Sequence, residues 1–173
     1  MKKTILCFAM ATAIIAASCS KKTDSATPVT SATGTIMING VSYAETKSKD
    51  TTTTDFFGEA GHLLVAQGNT SDLKKYEVIY LVFKNNTARP TAGDYHIGVT
   101  ANNYVAVLVN DSSAAGQGLY SSDSVTSLTA NIAINSGKIT ATVPTIRLTG
   151  LFTPVGGSTY NDTITVSGTV VEK

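Results

Sequence analysis

Two histidines and many serines, threonines and aspartates are the residues of this 173-residue chain whose types support hydrolytic or metal chemistry. His62 lies in Gly61-His62-Leu63, and His96 lies in Asp94-Tyr95-His96-Ile97. A zinc site needs three or four ligands, and no second cluster of His, Cys, Asp or Glu accompanies either segment. No Gly-x-Ser-x-Gly elbow, His-Glu-x-x-His motif or P-loop is present. We therefore expect both histidines to be strand-end or surface residues, and we predict no catalytic residue, metal ligand or cofactor.

Cys19 is the residue whose surroundings predict a covalent modification. The segment ahead of it has the parts of a secretory signal peptide: Lys2-Lys3, an apolar run from Ile5 to Ile15, and the small residues of Ala16-Ala17-Ser18. The apolar run is too short to span a bilayer core, which needs about 20 residues. Ala16-Ala17-Ser18-Cys19 resembles a lipobox, where lipoprotein signal peptidase cuts and the new N-terminal cysteine is acylated. It departs from the commonest lipoboxes at Ala16, where they carry Leu.

We predict that residues 1–18 are removed and that Cys19 carries the lipid. Two or more acyl chains hold a protein stably at a membrane. Ser20 stands where an Asp is the usual inner-membrane retention cue in enteric bacteria, so the outer membrane is favoured. The alternative is a simply secreted protein, because Ala16 and Ser18 also satisfy an ordinary signal-peptidase site. Cys7 is lost with the signal peptide, so the mature chain has no internal disulfide.

The rest of the chain divides into a tether and one domain. Residues 19–32 are small and polar apart from Val29, which is typical of a flexible linker. Residues 33–173 have a usual single-domain length. The whole chain has a net charge of +1, so it lacks the basic footprint of a nucleic-acid-binding protein.

The domain is predicted to be all-β. Thr, Val, Ile and Tyr are plentiful, and no long segment has helical periodicity. Asn39-Gly40 predicts a type I′ hairpin that pairs Ile38 with Val41 and Ile36 with Tyr43, with all four on one face. A second hairpin pairs Ile134 with Ile139. In its second strand the apolar phase slips at Pro144, as a bulge or strand switch would produce.

Two runs are apolar on both faces and predict central strands, Tyr76 to Phe83 and Tyr104 to Val109. Further strands are expected near residues 62–67, 94–99, 119–121 and 163–171. About nine or ten short strands favour an antiparallel β-sandwich, with a small up-and-down β-barrel as the alternative. Residues 71–75 have room for one helical turn.

Three short motifs carry a family resemblance: Ile38-Asn39-Gly40-Val41-Ser42-Tyr43, Ala92-Gly93-Asp94-Tyr95 and Ile164-Thr165-Val166-Ser167-Gly168-Thr169. With the Cys-Ser-Lys-Lys start of the mature chain, they resemble the small outer-membrane lipoproteins of the Bacteroidetes group that contain a β-rich domain of unknown function. The resemblance implies a lipid-anchored envelope protein and brings no known activity.

A non-enzymatic binding or interaction role is the function we expect, and an envelope protein is the expected partner. A glycan or small ligand is one alternative, bound at a face formed by Tyr95, Asn102, Asn103, Tyr104 and Tyr120. A hydrolase with an unrecognised site is the other. The sequence does not indicate the oligomeric state.

Short Asp-Ser/Thr motifs resemble the O-glycosylation motif of exported Bacteroidetes proteins. Ser25 in the tether and Thr51 in the polar stretch from Lys47 to Asp55 are the candidates, because a glycan needs an accessible loop or linker.

Overall fold

The computed structural model describes residues 33–56, 59–84, 88–98, 105–112, 115–122 and 127–173. All of them lie within one compact unit, Ser31–Lys173. They form an all-β domain, as predicted, and this part of the chain contains no helix, including at residues 71–75. Accordingly, none of its elements is a helix that could cross a membrane. The signal peptide, Cys19 and the tether lie outside the described residues.

Ten strands are present in the described residues. They are β1 (Thr35–Ile38), β2 (Val41–Phe56), β3 (Glu59–Asn69), β4 (Tyr76–Lys84), β5 (Gly93–His96), β6 (Val105–Ser112), β7 (Gly116–Ser121), β8 (Thr129–Asn135), β9 (Lys138–Pro154) and β10 (Tyr160–Val171). The number agrees with the prediction, but the expectation of short strands is wrong for several of them. β2 has 16 residues and β9 has 17.

The strands form one antiparallel sheet in the order β10-β1-β2-β3-β4-β6-β7-β9-β8-β5. β10 also pairs with β9, from Tyr160 opposite Phe152 to Val171 opposite Thr140. The eight strands from β10 to β9 therefore form a circuit in which the last strand pairs with the first. β8 pairs with the first residues of β9, and β5 pairs with β8.

The first predicted hairpin is confirmed in position, turn and register. Ile38 pairs with Val41 and Ile36 pairs with Tyr43. Asn39 and Gly40 have φ values of 49° and 79°, the left-handed region that both central residues of a type I′ turn require. Ile36, Ile38 and Tyr43 are buried, while Val41 lies at the rim of the same face and is 39% exposed.

The second hairpin and the slip that follows it are also confirmed. Ile134 pairs with Ile139 across the turn at Ser136-Gly137. Val143 and Ile146 of β9 then face Gly168 and Val166 of β10, so two residues of β9 oppose Ser167 alone. This is a bulge at Pro144, and beyond it β9 leaves β8 and pairs with β7.

One face of the sheet is covered by a continuous apolar core. Its buried members are Ile36, Ile38, Tyr43, Leu64, Ala66, Ile79, Leu81, Phe83, Ile97, Tyr120, Ala130, Ile132, Ile139, Ala141, Val143, Ile146, Leu148, Ile164, Val166 and Val170. Ile164, Val166 and Val170 point inward as the alternation in β10 predicts. Because residues 77–83 are all buried, the prediction of a central strand covered on both faces is confirmed for β4. β6 lies between β4 and β7, and Tyr104 is outside the described residues.

Candidate functional site

His62 is a buried histidine whose ring contacts a partly exposed carboxylate. It lies within β3 and is 5% exposed, so the expectation of a strand-end or surface position is wrong for it. Its Nε2 contacts Oδ1 of Asp50 on β2. Thr52 is the direct cross-strand partner of His62, and Asp50 lies two residues away on the same face, which places the two side chains in diagonal contact. His96 ends β5 and is exposed, in agreement with the prediction.

Arg89 joins this pair to the C-terminal part of the chain. Its Nε lies 3.1 Å from Oδ2 of Asp50, and its Nη2 donates a hydrogen bond to Oε2 of Glu172. The same Glu172 oxygen accepts a hydrogen bond from the backbone nitrogen of Ile139 at 2.8 Å. His62, Asp50, Arg89 and Glu172 form a chain of contacts that we call the charge cluster.

The charge cluster has one feature of a catalytic site. A carboxylate that orients a histidine is the arrangement used in general base catalysis, and the Nδ1 of His62 is buried without a hydrogen-bond partner. However, Asp50 also forms an ion pair with Arg89, so its carboxylate does not serve His62 alone. In the described part of the chain, no group of three or more His, Cys, Asp or Glu is placed to hold a metal ion.

Two buried glutamates were not anticipated from the sequence. Glu45 is 3% exposed, and its Oε2 accepts a hydrogen bond from the backbone nitrogen of Val171 at 2.8 Å. Burial raises the pKa of Glu45, although this hydrogen bond, Ser48 and Lys173 oppose the rise. Glu77 is fully buried in β4, and Gly68 of β3 pairs with both glutamates. The position of Glu77 beside the apolar run Val78 to Phe83 was the available signal for its burial.

The predicted ligand face is not formed by its described members. Tyr120 is 1% exposed, and its hydroxyl donates a hydrogen bond to Oδ2 of Asp162 at 2.7 Å. It therefore cannot offer its ring to a glycan, and its assignment to that face is wrong. Tyr95 is half-buried, and its ring packs edge-on against Phe83, with centroids 5.3 Å apart. Asn102, Asn103 and Tyr104 lie outside the described residues.

An open groove of about 490 Å³ lies near the Tyr120–Asp162 hydrogen bond. Its walls carry hydroxyls, the amide of Asn161 and the carboxylate of Asp162. Among the described residues that line the groove there is no aromatic ring, so this part of the chain supplies no stacking platform of the kind that the glycan hypothesis requires.

The premise for a glycan at Thr51 is wrong. Thr51 lies within β2 rather than in a loop, pairs with Leu63 and is half-buried. A bulky, solvated glycan is poorly accommodated at such a position. Ser25 lies outside the described residues, so its modification stays a prediction, as does the lipidation of Cys19.

The chain matches no protein-family model, and comparisons with curated proteins and with solved structures give no significant match. Its function must therefore be argued from its own residues.

Proposed function

We propose that this chain is an outer-membrane lipoprotein of the Bacteroidetes type, anchored by acylated Cys19, whose β domain has a binding or interaction role and no catalytic one. One observation supports the non-catalytic role: the side chains of the charge cluster contact one another. Asp50 contacts both His62 and Arg89, and Arg89 also contacts Glu172. A catalytic site needs groups that are free to meet a substrate, whereas these groups tie β2, β3 and the C-terminal residues together.

The N-terminal sequence supports the anchor. Lys2-Lys3, the apolar run and Ala16-Ala17-Ser18-Cys19 follow one another in the order that a lipoprotein signal requires. Ser20 after the cysteine favours the outer membrane. The tether would let the domain stand clear of the lipid surface.

For the fold, we infer a small closed barrel rather than a sandwich. β10 pairs with β1 at one edge and with β9 at the other, so the eight strands from β10 to β9 have hydrogen-bonded neighbours on both sides. Closure of this kind removes the sheet edges that invite unwanted pairing. The apolar core fills the face that would point inward.

Detergent-phase partitioning of protein from its native host tests the anchor. We expect the wild type in the detergent phase and Cys19→Ala in the aqueous phase. Cys7→Ala is the matched control. It removes the other cysteine of the chain, which lies in the segment that is cleaved off, so this variant should partition as the wild type does. A mature wild-type protein found wholly in the aqueous phase would contradict the lipoprotein assignment.

A hydrolase is the second candidate, favoured by the His62–Asp50 contact alone. Folded wild-type domain and His62→Gln would be assayed on ester, amide and glycoside substrates. Turnover by the wild type that His62→Gln abolishes without loss of fold would replace the non-enzymatic proposal. We expect no turnover from either protein.

A further inference from the structure

A long part of β2 has a ladder partner on one side only. β1 has four residues and pairs with residues 41–44 of β2, whereas β3 pairs with β2 as far as Phe56. Among the described residues, no strand pairs with the other side of β2 after Ala44. The circuit of strands therefore does not cover the later part of β2. A strand edge of this kind presents unpaired backbone N–H and C=O groups.

The first part of this edge is covered by contacts from the end of β10. Val171 is hydrogen-bonded to the side chains of Glu45 and Ser48, and Arg89 links Asp50 to Glu172. Beyond these contacts the strand reaches solvent, because residue 52 is exposed, as residue 49 is. The open part of the edge therefore begins close to residue 50.

Alternation along β2 shows which backbone groups face the open side. Glu45 donates its backbone nitrogen to the carbonyl of Gly34 at 3.0 Å, on the side of β1. In an antiparallel strand, successive residues direct their N–H and C=O to opposite sides. The bulge that follows Glu45 shifts this alternation by one residue. Ser48, Asp50 and Thr52 therefore direct their backbone groups away from β3 and towards the open side.

The sequence of the open edge is suited to strand pairing and is complementary to itself. Residues 51–54 are four threonines, which favour strands and have no charge. Lys49 lies shortly before them and Asp55 directly after them. When two copies of this segment are aligned antiparallel about Thr52, residues 51–53 meet residues 53–51, and Lys49 of each copy lies opposite Asp55 of the other. Thr–Thr pairs and pairs of opposite charge both stabilise neighbouring strands.

We propose that residues 49–55, which we call the β2 edge, dock a second copy of this chain by antiparallel strand addition. The two-fold axis lies at Thr52, so one self-complementary segment supplies both halves of the interface. The backbone groups on the open side then pair across the axis, and the two sheets become continuous. The proposal does not depend on the lipid anchor, because every residue that it uses lies in the β domain.

Sedimentation of the full-length protein, purified from its native host in a density-matched detergent, tests the pairing. We expect the wild-type mass to rise from monomer to dimer with concentration. Thr52→Pro removes the backbone N–H at the axis and should remain a monomer, since an edge position with a solvent-facing N–H tolerates proline. Thr52→Val is the matched control, because it keeps this N–H and a β-branched side chain. It should dimerise as the wild type does.

A second disrupting variant guards against a folding defect in Thr52→Pro. Thr52→Lys leaves the backbone donor in place and puts two like charges opposite each other at the axis, which destabilises strand pairing. We expect it to weaken dimerisation at least tenfold. Circular dichroism would verify that each variant keeps its strands.

Cysteine crosslinking tests the register. Thr52→Cys places two thiols opposite each other at the axis, where facing Cα atoms are about 5.5 Å apart and within reach of a disulfide. Ser42→Cys is the control, because Ser42 is an exposed residue of β2 that pairs with Met37 of β1. Mild oxidation should link Thr52→Cys into dimers and give at least ten times less dimer from Ser42→Cys. The wild type, oxidised in parallel, reports any dimer that forms through its own cysteines.

Several results would overturn the proposal. The β2 edge is rejected if the wild type stays monomeric at every concentration, if Thr52→Pro and Thr52→Lys both fold and dimerise as the wild type does, or if Ser42→Cys crosslinks as well as Thr52→Cys. A different protein joined to Thr52→Cys would show that the edge accepts a heterologous strand, against the assignment to a second copy. Detergent-phase partitioning is read separately, so loss of the anchor is not confused with loss of the dimer.

Discussion

Glu45 and Val171 are joined by a hydrogen bond of 2.8 Å between a side-chain oxygen and a backbone nitrogen, across strands that are not neighbours in the sheet. β1 separates β2 from β10, but it has only four residues. Beyond it, side chains of β2 link directly to the end of β10. Ser48 donates to the carbonyl of Val171 at 2.5 Å, and Lys173 donates to the carbonyl of Glu45 at 2.8 Å. These contacts connect β2 to the end of β10 where β1 is too short to make backbone hydrogen bonds to both strands.

The first prediction concerns the pH dependence that Glu45 imparts. Burial raises the pKa of Glu45 above its ordinary value of 4.5, so the folded state binds the proton more tightly than the unfolded state does. The contribution of Glu45 to stability is fully present below pH 4.5 and is lost as pH rises through the raised pKa. We expect Glu45→Gln to flatten the fall in melting temperature between pH 4.5 and pH 8.

Asp94→Asn is the control for that experiment. Asp94 is exposed on β5, where its carboxylate accepts a hydrogen bond from Asn131 at 2.7 Å. Its pH profile should follow that of the wild type. If Glu45→Gln followed the wild-type profile as well, the buried carboxyl would not be the source of the pH dependence.

Local turn chemistry explains why the hairpins could be predicted from the sequence. Asn39-Gly40 specifies both the turn and the register, because a type I′ turn fixes the cross-strand pairs. The length of β2 could not be predicted in this way. Lys47 to Thr52 lacks apolar residues and resembles a loop, yet it pairs with β3 throughout. Backbone pairing with a distant strand depends on contacts that a local pattern does not contain.

The charge cluster could not be predicted from the sequence for the same reason. Arg89 and Glu172 are 83 residues apart, and they meet only because the end of β10 lies beside β2. The burial of Tyr120 follows from alternation in β7, but its bond to Asp162 depends on β9 lying between β7 and β10. Sequence spacing alone therefore placed Tyr120 on a ligand-binding surface, whereas the fold buries it.

The second prediction concerns Asp50. Asp50→Ala would leave buried His62 without its carboxylate partner and Arg89 without one of its two acceptors. Leaving a buried polar group without its partner costs about 1–3 kcal/mol, so we expect a loss of stability in that range by urea unfolding. Asp94→Ala, at an exposed site, should lie within about 0.5 kcal/mol of the wild type. Equal losses in the two variants would show that the charge cluster does not stabilise the fold.

The third prediction separates a structural Tyr120 from a ligand-binding one. Tyr120→Phe keeps the buried ring and removes the hydroxyl that donates to Asp162, so we expect a loss of about 0.5–1.5 kcal/mol. Tyr160→Phe is the control, because Tyr160 is half exposed and lies on β10. It should unfold as the wild type does. A Tyr120→Phe variant with unchanged stability would mean that the hydrogen bond to Asp162 contributes nothing to the fold.

The last prediction concerns the turn of the first hairpin. Gly40 has φ +79°, a conformation that a β-branched side chain resists, and an added Cβ would meet no neighbouring atom within 4 Å. Any cost of Gly40→Val therefore arises from backbone strain and not from a clash, and we expect about 1–3 kcal/mol by thermal unfolding. Ser42→Val is the matched control, since it adds a β-branched residue at an exposed position of β2, where such residues are favoured. It should melt at or above the wild-type temperature. If Gly40→Val melted within error of the wild type, the type I′ turn would not set the register of β1 and β2.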